Sequence, residues 1–306
     1  MDLSVNLGGI KLDNPVIPAS GTFGYGLEFA ELYDINILGS FSIKGTTLEP
    51  RFGNPLPRIA ETPSGMLNSV GLQNPGAENV VKDVFPRLKK VYRKKVFANV
   101  GGHDEESYVR AAEILSKEDI VCAVELNISC PNVKAGGMAF GTDPDKAAAI
   151  TAAVKKVCRK PLFVKLSPNV TSVKDIALKV VDAGADGLTL INTLLGMAVD
   201  WKTGRAITAV PHAGLSGAAV KPVALRMVHE VASAVDVPVI GMGGIESAKD
   251  VLEFMSVGAS AVMVGSKNLV DPFICKKIIE DLPAVLSEAG IQDIKSVIGR
   301  TDRCVK

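Results

Sequence analysis

The 306-residue chain predicts an α/β fold, a single (β/α)8 barrel with an N-terminal hairpin and long loops at the C-terminal face of its strands. Three observations predict it. Strand-like and helix-like segments alternate from end to end. The strand-like segments number eight over about 300 residues, the count of such a barrel. Polar clusters recur after nearly every strand, whereas a doubly wound open sheet would gather them at one switch point.

Taken in order, Leu3–Leu12 reads as a hairpin turning at Gly8-Gly9, a lid for the barrel bottom. The β-rich runs are Val16–Ala19, Gly39–Lys44, Val96–Val100, Ala123–Asn127, Leu162–Leu166, Gly187–Ile191, Val239–Gly241 and Ala261–Val264. Several are apolar almost throughout, as strands covered on both faces should be. The fourth is entered through a short run, Val121–Leu126, read as apolar and buried. Between the strands lie amphipathic stretches. Ala248, Val251, Leu252 and Met255 form one helical face, and Leu225, Val228, Val231, Ala232 and Val235 another. Asp143-Pro144 opens a helix with Pro in the first turn. Ser172 stands near the start of a further helix and Gly184 closes it. Two long connections, Thr46–Pro75 and Asn192–Gly217, read as functional loops. With no linker, repeat or low-complexity segment, residues 1–306 are expected to form one domain.

Composition narrows the setting. Hydrophobic residues make up 47% and charged residues 22%, the balance of a soluble protein with a sizeable core. Lys+Arg total 34 against 33 for Asp+Glu, so no global basic field points to nucleic acid. Cys122, Cys130, Cys158, Cys275 and Cys304 are scattered without a C-x-x-C pair, which argues against a disulfide framework, a zinc site or an iron–sulfur cluster built by this chain alone. The N-terminus carries no signal-peptide pattern and no apolar run reaches membrane-spanning length, so a cytoplasmic protein is expected.

In a barrel the chemistry sits where strands end. Those ends supply Ser20, Lys44, Asn99, Asn127 with Cys130, Lys165, Asn192 with Thr193, Gly243-Gly244, and Gly265-Ser266. The richest stretch is Asn127-Ile-Ser-Cys-Pro-Asn-Val-Lys-Ala-Gly-Gly137, which sets a thiol between two amides on a loop stiffened by Pro131. A thiol that can take a proton, beside groups that donate and accept, suits proton abstraction from a polar heterocycle. A buried structural cysteine is the bland alternative. Lys44 and Lys165 end otherwise apolar strands, where a charge is costly unless something anionic or electron-rich meets it; a snorkelling surface lysine is the alternative for either alone. The glycine pairs after the seventh and eighth strands suit a phosphate, since backbone N–H groups can approach its oxygens and following helix N-termini favour an anion. No G-x-G-x-x-G with a downstream acid accompanies them, so a mononucleotide cofactor or phosphorylated substrate is indicated over NAD. A bulky residue at Gly244 is expected to expel the phosphate and leave the fold intact.

Several blocks, in order over essentially the whole length, resemble the class 1 dihydroorotate dehydrogenases, FMN enzymes of pyrimidine biosynthesis. They are Pro18-Ala-Ser-Gly21, Lys44-Gly-Thr-Thr47, Arg51-Phe-Gly-Asn-Pro-Leu-Pro-Arg58, Asn68-Ser-Val-Gly-Leu-Gln-Asn-Pro-Gly76, Asn127-Ile-Ser-Cys-Pro-Asn132, Val164-Lys-Leu-Ser-Pro168, Ile191-Asn-Thr193, Gly214-Leu-Ser-Gly217 and Gly241-Met-Gly-Gly244. The NAD-linked class 1B looks closest, chiefly through Met66-Leu-Asn-Ser-Val-Gly-Leu-Gln-Asn-Pro75.

The resemblance implies that Cys130 is the base removing the C5 proton of dihydroorotate while hydride leaves C6 for the flavin. It implies that Lys44, Asn68, Ser69, Val70, Gly71, Leu72, Asn127, Asn192 and Thr193 bind the substrate. Ser20, Lys44, Gly45, Asn99, Asn127, Lys165, Ile191 and Gly217 would line the flavin, with Gly243, Gly244, Gly265 and Ser266 on its phosphate. Threonine is usual at the position of Ser266; the hydroxyl and N–H groups are kept. The membrane-bound class has serine at the position of Cys130 and an amphipathic N-terminal extension, so both features here point to the soluble class.

Class 1B enzymes work with a second subunit carrying FAD and a [2Fe–2S] cluster that passes electrons to NAD, and the resemblance implies such a partner in a heterotetramer around a homodimer of this chain. The fumarate-linked class 1A homodimer is the alternative within the family. Rivals outside it are a non-redox phosphate-binding isomerase or aldolase, a non-catalytic scaffold subunit, and a dihydropyrimidine-degrading dehydrogenase; flavin colour and substrate choice separate them. His103, His212 and His229 read as structural, Cys122 and Cys158 as packing residues, and Trp201 as packing its own loop.

Overall fold

The computed structural model describes residues 1–129 and 138–301. A β-hairpin opens the chain, β1 (Val5–Leu7) and β2 (Ile10–Leu12), turning through Gly8 and Gly9 with φ of 61° and 99°. Two successive positive φ values are what a tight two-residue hairpin turn requires. The turn packs on the barrel bottom: a Cβ at Gly8 would lie 3.6 Å from Pro238, just before one barrel strand, and 3.8 Å from the carbonyl of Asp186, just before another.

The barrel strands are β3 (Val16–Pro18), β6 (Val96–Val100), β7 (Val121–Asn127), β8 (Leu162–Lys165), β9 (Gly187–Leu190), β12 (Val239–Met242) and β13 (Ala261–Val264). They form one parallel sheet in the order β3-β13-β12-β9-β8-β7-β6. The second expected strand, Gly39–Lys44, is not a regular strand. Extended backbone there joins the two sheet edges instead: Ser42 N–H donates to Pro18 O, Phe97 N–H to Phe41 O, Ile43 N–H to Phe97 O and Thr46 N–H to Asn99 O. Bonding to β3 on one side and β6 on the other, this segment is the eighth stave. Its pairing with β6 is limited to isolated bridges, and glycines lie at both of its ends: a Cβ at Gly39 would lie 2.1 Å from the Asn14 carbonyl, and one at Gly45 3.0 Å from a Leu72 methyl.

Helices cover the outside, and their starts follow from capping. The side chains of Asp104, Asp143, Ser172 and Ser247 each accept a backbone N–H in the first turn of the helix that follows. Ala248, Val251, Leu252 and Met255 are all buried, as their spacing predicts. In the helix Lys221–Ala232 the buried stripe is Ala224, Met227, Val228 and Val231; Leu225 and Ala232 sit at its margin and Val235 lies past the helix end.

The long connections differ from expectation. They carry β4 (Ile59–Thr62), β5 (Gly65–Asn68), β10 (Leu194–Gly196) and β11 (Ala213–Ser216), which pair antiparallel as β10-β11-β5-β4. Strands of three or four residues broken by Gly and Pro leave no alternation long enough to read from sequence. This second sheet roofs one side of the barrel mouth. Trp201, expected to pack its loop, is 86% exposed on the turn between β10 and β11, with Lys202 Nζ 5.3 Å from its ring centre.

Candidate active site

Side chains alternate along each strand, so every second residue enters the barrel. At mid-height Phe97 and Phe163 meet edge-to-face, with centroids 5.4 Å apart. Gly187, paired with Phe163 across β8 and β9, has no Cβ because one would lie 2.2 Å from the Phe163 ring. One step further along the same strands the interior turns polar: Asn99, Glu125 and Lys165 follow Phe97, Ala123 and Phe163 at i+2. The apolar layer is the floor on which the site stands.

Glu125 is the centre of the polar layer, and it is completely buried. Its Oε2 accepts from Ser42 Oγ and from Asn99 Nδ2, each at 2.6 Å. Its Oε1 accepts from Thr189 Oγ1 at 2.9 Å and faces Lys165 Nζ at 3.5 Å. Burial alone would push this carboxyl upward; the Lys165 ammonium and the three donors outweigh it and hold Glu125 below the usual carboxylate range. An ionised carboxylate therefore lies directly beneath an ammonium group, and Lys165 Nζ also reaches Ser20 Oγ at 3.5 Å.

Above this layer opens a cavity of about 1230 Å³ including its mouth. It is lined by both polar and apolar side chains, as a site for a ring-bearing ligand is. Its walls include Ser20, Lys44, Gly45, Asn68, Val70, Gly71, Leu72, Asn99, Asn127, Lys165, Ile191, Asn192, Thr193, Gly217, Gly243, Gly244, Gly265 and Ser266. Residues from every stave of the barrel thus converge where the strand ends predict.

Ser69 is the exception. It is fully buried behind the wall, with its Oγ making no hydrogen bond among the described residues, because strand alternation turns it away from the side on which Asn68 faces the cavity. Cys130, the expected base, lies outside the described residues, as does Cys304. His103, His212 and His229 are not part of the cavity wall.

The amides of the wall are connected. Asn127 Nδ2 donates to Asn99 Oδ1 at 3.4 Å, Asn192 Nδ2 to Asn127 Oδ1 at 3.2 Å, and Thr193 N–H to Asn192 Oδ1 at 2.8 Å. Leu72 sits at φ 55°, a left-handed conformation that a branched side chain seldom adopts. Glycines hold it there: a Cβ at Gly45 or at Gly101 would come within 3.0 Å of a Leu72 methyl. The mouth is rimmed by Ile59, Met66 and Leu215 of the antiparallel sheet, and by Lys267, which pairs with Glu246 at 3.2 Å.

The glycines at the far end separate into two kinds. Gly243 and Gly244 have φ of 128° and 74°, and a Cβ on Gly244 would lie 2.8 Å from the carbonyl of Gly217. Protein packing alone demands glycine there. A Cβ on Gly265 would meet nothing within 4 Å, so the protein itself makes no such demand; a bound group lying against the backbone would. The helix after Ser266 is one turn, Lys267–Val270, and the helix after Gly244 starts only at Ala248. Helix dipoles thus contribute less at this end than the sequence suggests, and backbone N–H groups more.

These features fit a flavin mononucleotide: a glycine-lined end for phosphate, a cation on the floor, and an amide row beside it. Residues 2–286 match the family model described as dihydroorotate dehydrogenase. The chain belongs to the dihydroorotate dehydrogenase family. Over 299 residues, 98% of this chain and 96% of the relative, it is 58% identical to the dihydroorotate dehydrogenase B (NAD(+)) catalytic subunit of Bacillus pumilus. It is 57% identical, with the same coverage, to the protein of that name in Bacillus mycoides.

Sequence reasoning missed Glu125, Ser42 and Thr189, the polar cluster beneath this cavity. The signal was available: a lone acid inside an otherwise apolar strand is rare unless paired. Among the described residues, no helix is long and apolar enough to cross a membrane.

Proposed function

We propose that this protein, acting as one cytoplasmic domain, oxidises dihydroorotate to orotate in pyrimidine biosynthesis with FMN as its bound cofactor. The observation that carries the reading is the row Asn99–Asn127–Asn192–Thr193 standing beside Lys165 at the end of a cavity whose far wall is Gly265. Asn68, Asn127, Asn192 and Thr193 offer donors and acceptors to a ring bearing alternating N–H and C=O groups and to its carboxylate, while Asn99 lines the flavin side. Lys44, Asn68 and the Val70–Leu72 segment close the substrate side. Ser20, Gly45, Ile191 and Gly217 line the cofactor side, with Gly243, Gly244, Gly265 and Ser266 on the phosphate. FMN, when bound, supplies a two-electron acceptor for hydride. Lys165 sets a positive charge where negative charge gathers on reduction. Cys130 takes the C5 proton; a thiol with an ordinary pKa of about 8.5 needs only modest tuning for that task near neutral pH.

Electrons then leave through a second subunit carrying FAD and a [2Fe–2S] cluster, which reduces NAD. Two things support a partner: the relatives are named catalytic subunits of NAD(+) enzymes, and the five cysteines here lack cluster spacing. The arm bearing Leu195, Met197, Val199 and Trp201, all exposed, is our candidate docking surface. We place the chain as a homodimer inside a heterotetramer. The purified chain should be yellow and reduce artificial dyes with dihydroorotate, and should reduce NAD only when the partner is added. Efficient NAD reduction by the chain alone would refute the partner, and efficient fumarate reduction would make it a class 1A enzyme. A colourless protein that turns over a phosphorylated sugar would refute the flavin reading altogether.

A further inference from the structure

We infer that Glu125 is a positioning residue of this site, an acceptor-only anchor that sets which way the Asn99 amide faces, keeps it matched to the Asn127 and Asn192 amides, and hence sets which hydrogen-bond pattern the cavity offers at that end. The inference rests on the proposed reading of that row as flavin-lining at Asn99 and substrate-binding at Asn127 and Asn192.

The logic follows from valence. An ionised carboxylate can accept hydrogen bonds and cannot donate one. With Oε2 of Glu125 at 2.6 Å, Asn99 must turn its amino end down toward the acid. Its carbonyl end then points at Asn127, whose Nδ2 donates to it at 3.4 Å. Asn127 is thereby left with its own carbonyl toward Asn192 Nδ2, at 3.2 Å. Asn192 presents its carbonyl to the Thr193 N–H at 2.8 Å. The main-chain donors of Ser129 and Thr193 fix Asn127 and Asn192, Glu125 fixes Asn99, and the row is paired throughout only while the two ends agree.

Ser129 completes the junction without reversing it. Its N–H and Oγ lie 3.4 and 3.3 Å from Asn127 Oδ1, and its Oγ accepts from Asn192 Nδ2 at 2.7 Å. Glu125 is also met from the neighbouring staves by Ser42, Thr189 and Lys165, and Lys165 stays beside it when the two hydroxyls are removed. It does not line the cavity and acts only through the residues that do.

Glutamine at position 125 has the same shape but carries its own amino group. It can donate to Asn99 Oδ1, and Asn99 can then turn over, setting its Nδ2 against Asn127 Nδ2 and breaking the pattern the row presents to the ligand. A single mismatched buried pair of this kind weakens binding about ten- to hundredfold.

The test compares FMN-loaded wild type, Glu125→Gln, and the double variant Ser42→Ala/Thr189→Val. Orotate dissociation constants are read from the shift of the flavin absorption band, alongside melting temperature and FMN content. The double variant strips two donors from the same carboxylate, so it shares the loss of stability but keeps the anchor on Asn99. We expect orotate binding to weaken at least tenfold in Glu125→Gln and to stay within about twofold in the double variant.

Equal orotate affinity in Glu125→Gln and wild type would overturn the inference. So would an equal loss in the double variant, which would reduce Glu125 to a stability role. Should Glu125→Gln fail to fold, a neutron structure of the wild-type protein reads the amide hydrogens directly. Asn99 Nδ2 on the Glu125 side is expected, and the reverse polarity overturns the inference. Wild type that binds no orotate would refute the proposed substrate, while the hydrogen positions would still decide the role of Glu125.

Discussion

Gly265→Val separates cofactor binding from folding more cleanly than any other change at the phosphate end. The backbone at this position is outside the left-handed region, and a new Cβ would meet no protein atom within 4 Å. The cost to the apoprotein should therefore stay within about 0.5 kcal/mol, less than about 2 °C in melting temperature for a chain of this size. The methyl groups would occupy the space that a phosphate needs to reach the backbone N–H of residues 265 and 266. Losing one hydrogen bond to a charged group costs roughly 1.5–3 kcal/mol, so FMN should bind about ten- to hundredfold more weakly. Titrating apoprotein with FMN and following quenching of its fluorescence gives the dissociation constant, and calorimetry of the apoprotein gives the stability. Gly244→Val is the contrast. With φ at 74° and a Cβ 2.8 Å from Gly217 O and 2.9 Å from Lys221 Cβ, it should lose stability and cofactor together, contrary to what the sequence suggests. Wild-type FMN affinity in Gly265→Val would refute the placement of phosphate at this end.

Cys130→Ala should bind orotate but reduce its flavin about 10²–10⁴-fold more slowly in stopped-flow mixing with dihydroorotate, the usual cost of removing a general base; a wild-type rate would place the base elsewhere. Gly45→Ala would set a Cβ 2.9 Å from Asn99 Oδ1 and 3.0 Å from Leu72 Cδ2, so overpacking should cost about 1–3 kcal/mol of stability and raise KM for dihydroorotate more than it lowers kcat. Acid unfolding should report Glu125: a carboxyl whose folded pKa lies below its unfolded value of about 4.3 stabilises above that pH and loses the contribution as pH falls through the folded value. The wild-type denaturation midpoint should thus drop below about pH 4 more steeply than that of Glu125→Gln, and parallel curves would contradict the ionised assignment. Burial pushes the Cys122 thiol up to about 12 and Cys275 higher still, so alkylation of native protein at pH near 8 should spare these two, as peptide mapping would show.

Much of the barrel is legible because its strands are fully buried and its helices carry their own start signals. Val96–Val100 and Ala261–Val264 have the same bounds in sequence and structure, since each is apolar but for Asn99 and is followed by a glycine. Asp143-Pro144 and Ser172 mark helix starts through local chemistry that no tertiary contact needs to supply. The second stave fails for the opposite reason. Its pairing is decided by strands that arrive 25 residues earlier and 55 residues later, and by glycines accommodating Asn14 and Leu72, so nothing within Gly39–Lys44 announces isolated bridges. The antiparallel sheet over the mouth is illegible likewise. Gly65 and Gly217 lie where one backbone crosses another at close range, a property of two segments about 150 residues apart.

The site shows the same division between local and distributed information. Strand ends mark Ser20, Lys44, Asn99, Asn127, Lys165 and Asn192 because each is a polar residue terminating an apolar run, and all of them reach the cavity. Glu125 is one step inside its run, in register with Asn99 on β6, and two residues before Asn127 on the same face. That position determines what it can do. A polar residue at the strand end meets ligand, whereas one placed two residues earlier meets only its neighbours on adjacent staves. An uncompensated charge at such depth would cost several kcal/mol. Three hydrogen-bond donors and one ammonium group from neighbouring staves are the compensation here. A fixed acceptor below the ligand layer is what Asn99 needs, since an amide alone fits a pocket nearly as well in either orientation. Asn127 and Asn192 have main-chain donors for that purpose, and the acid in the middle of an apolar strand is best read as the element that orients the one amide of the row without such a donor.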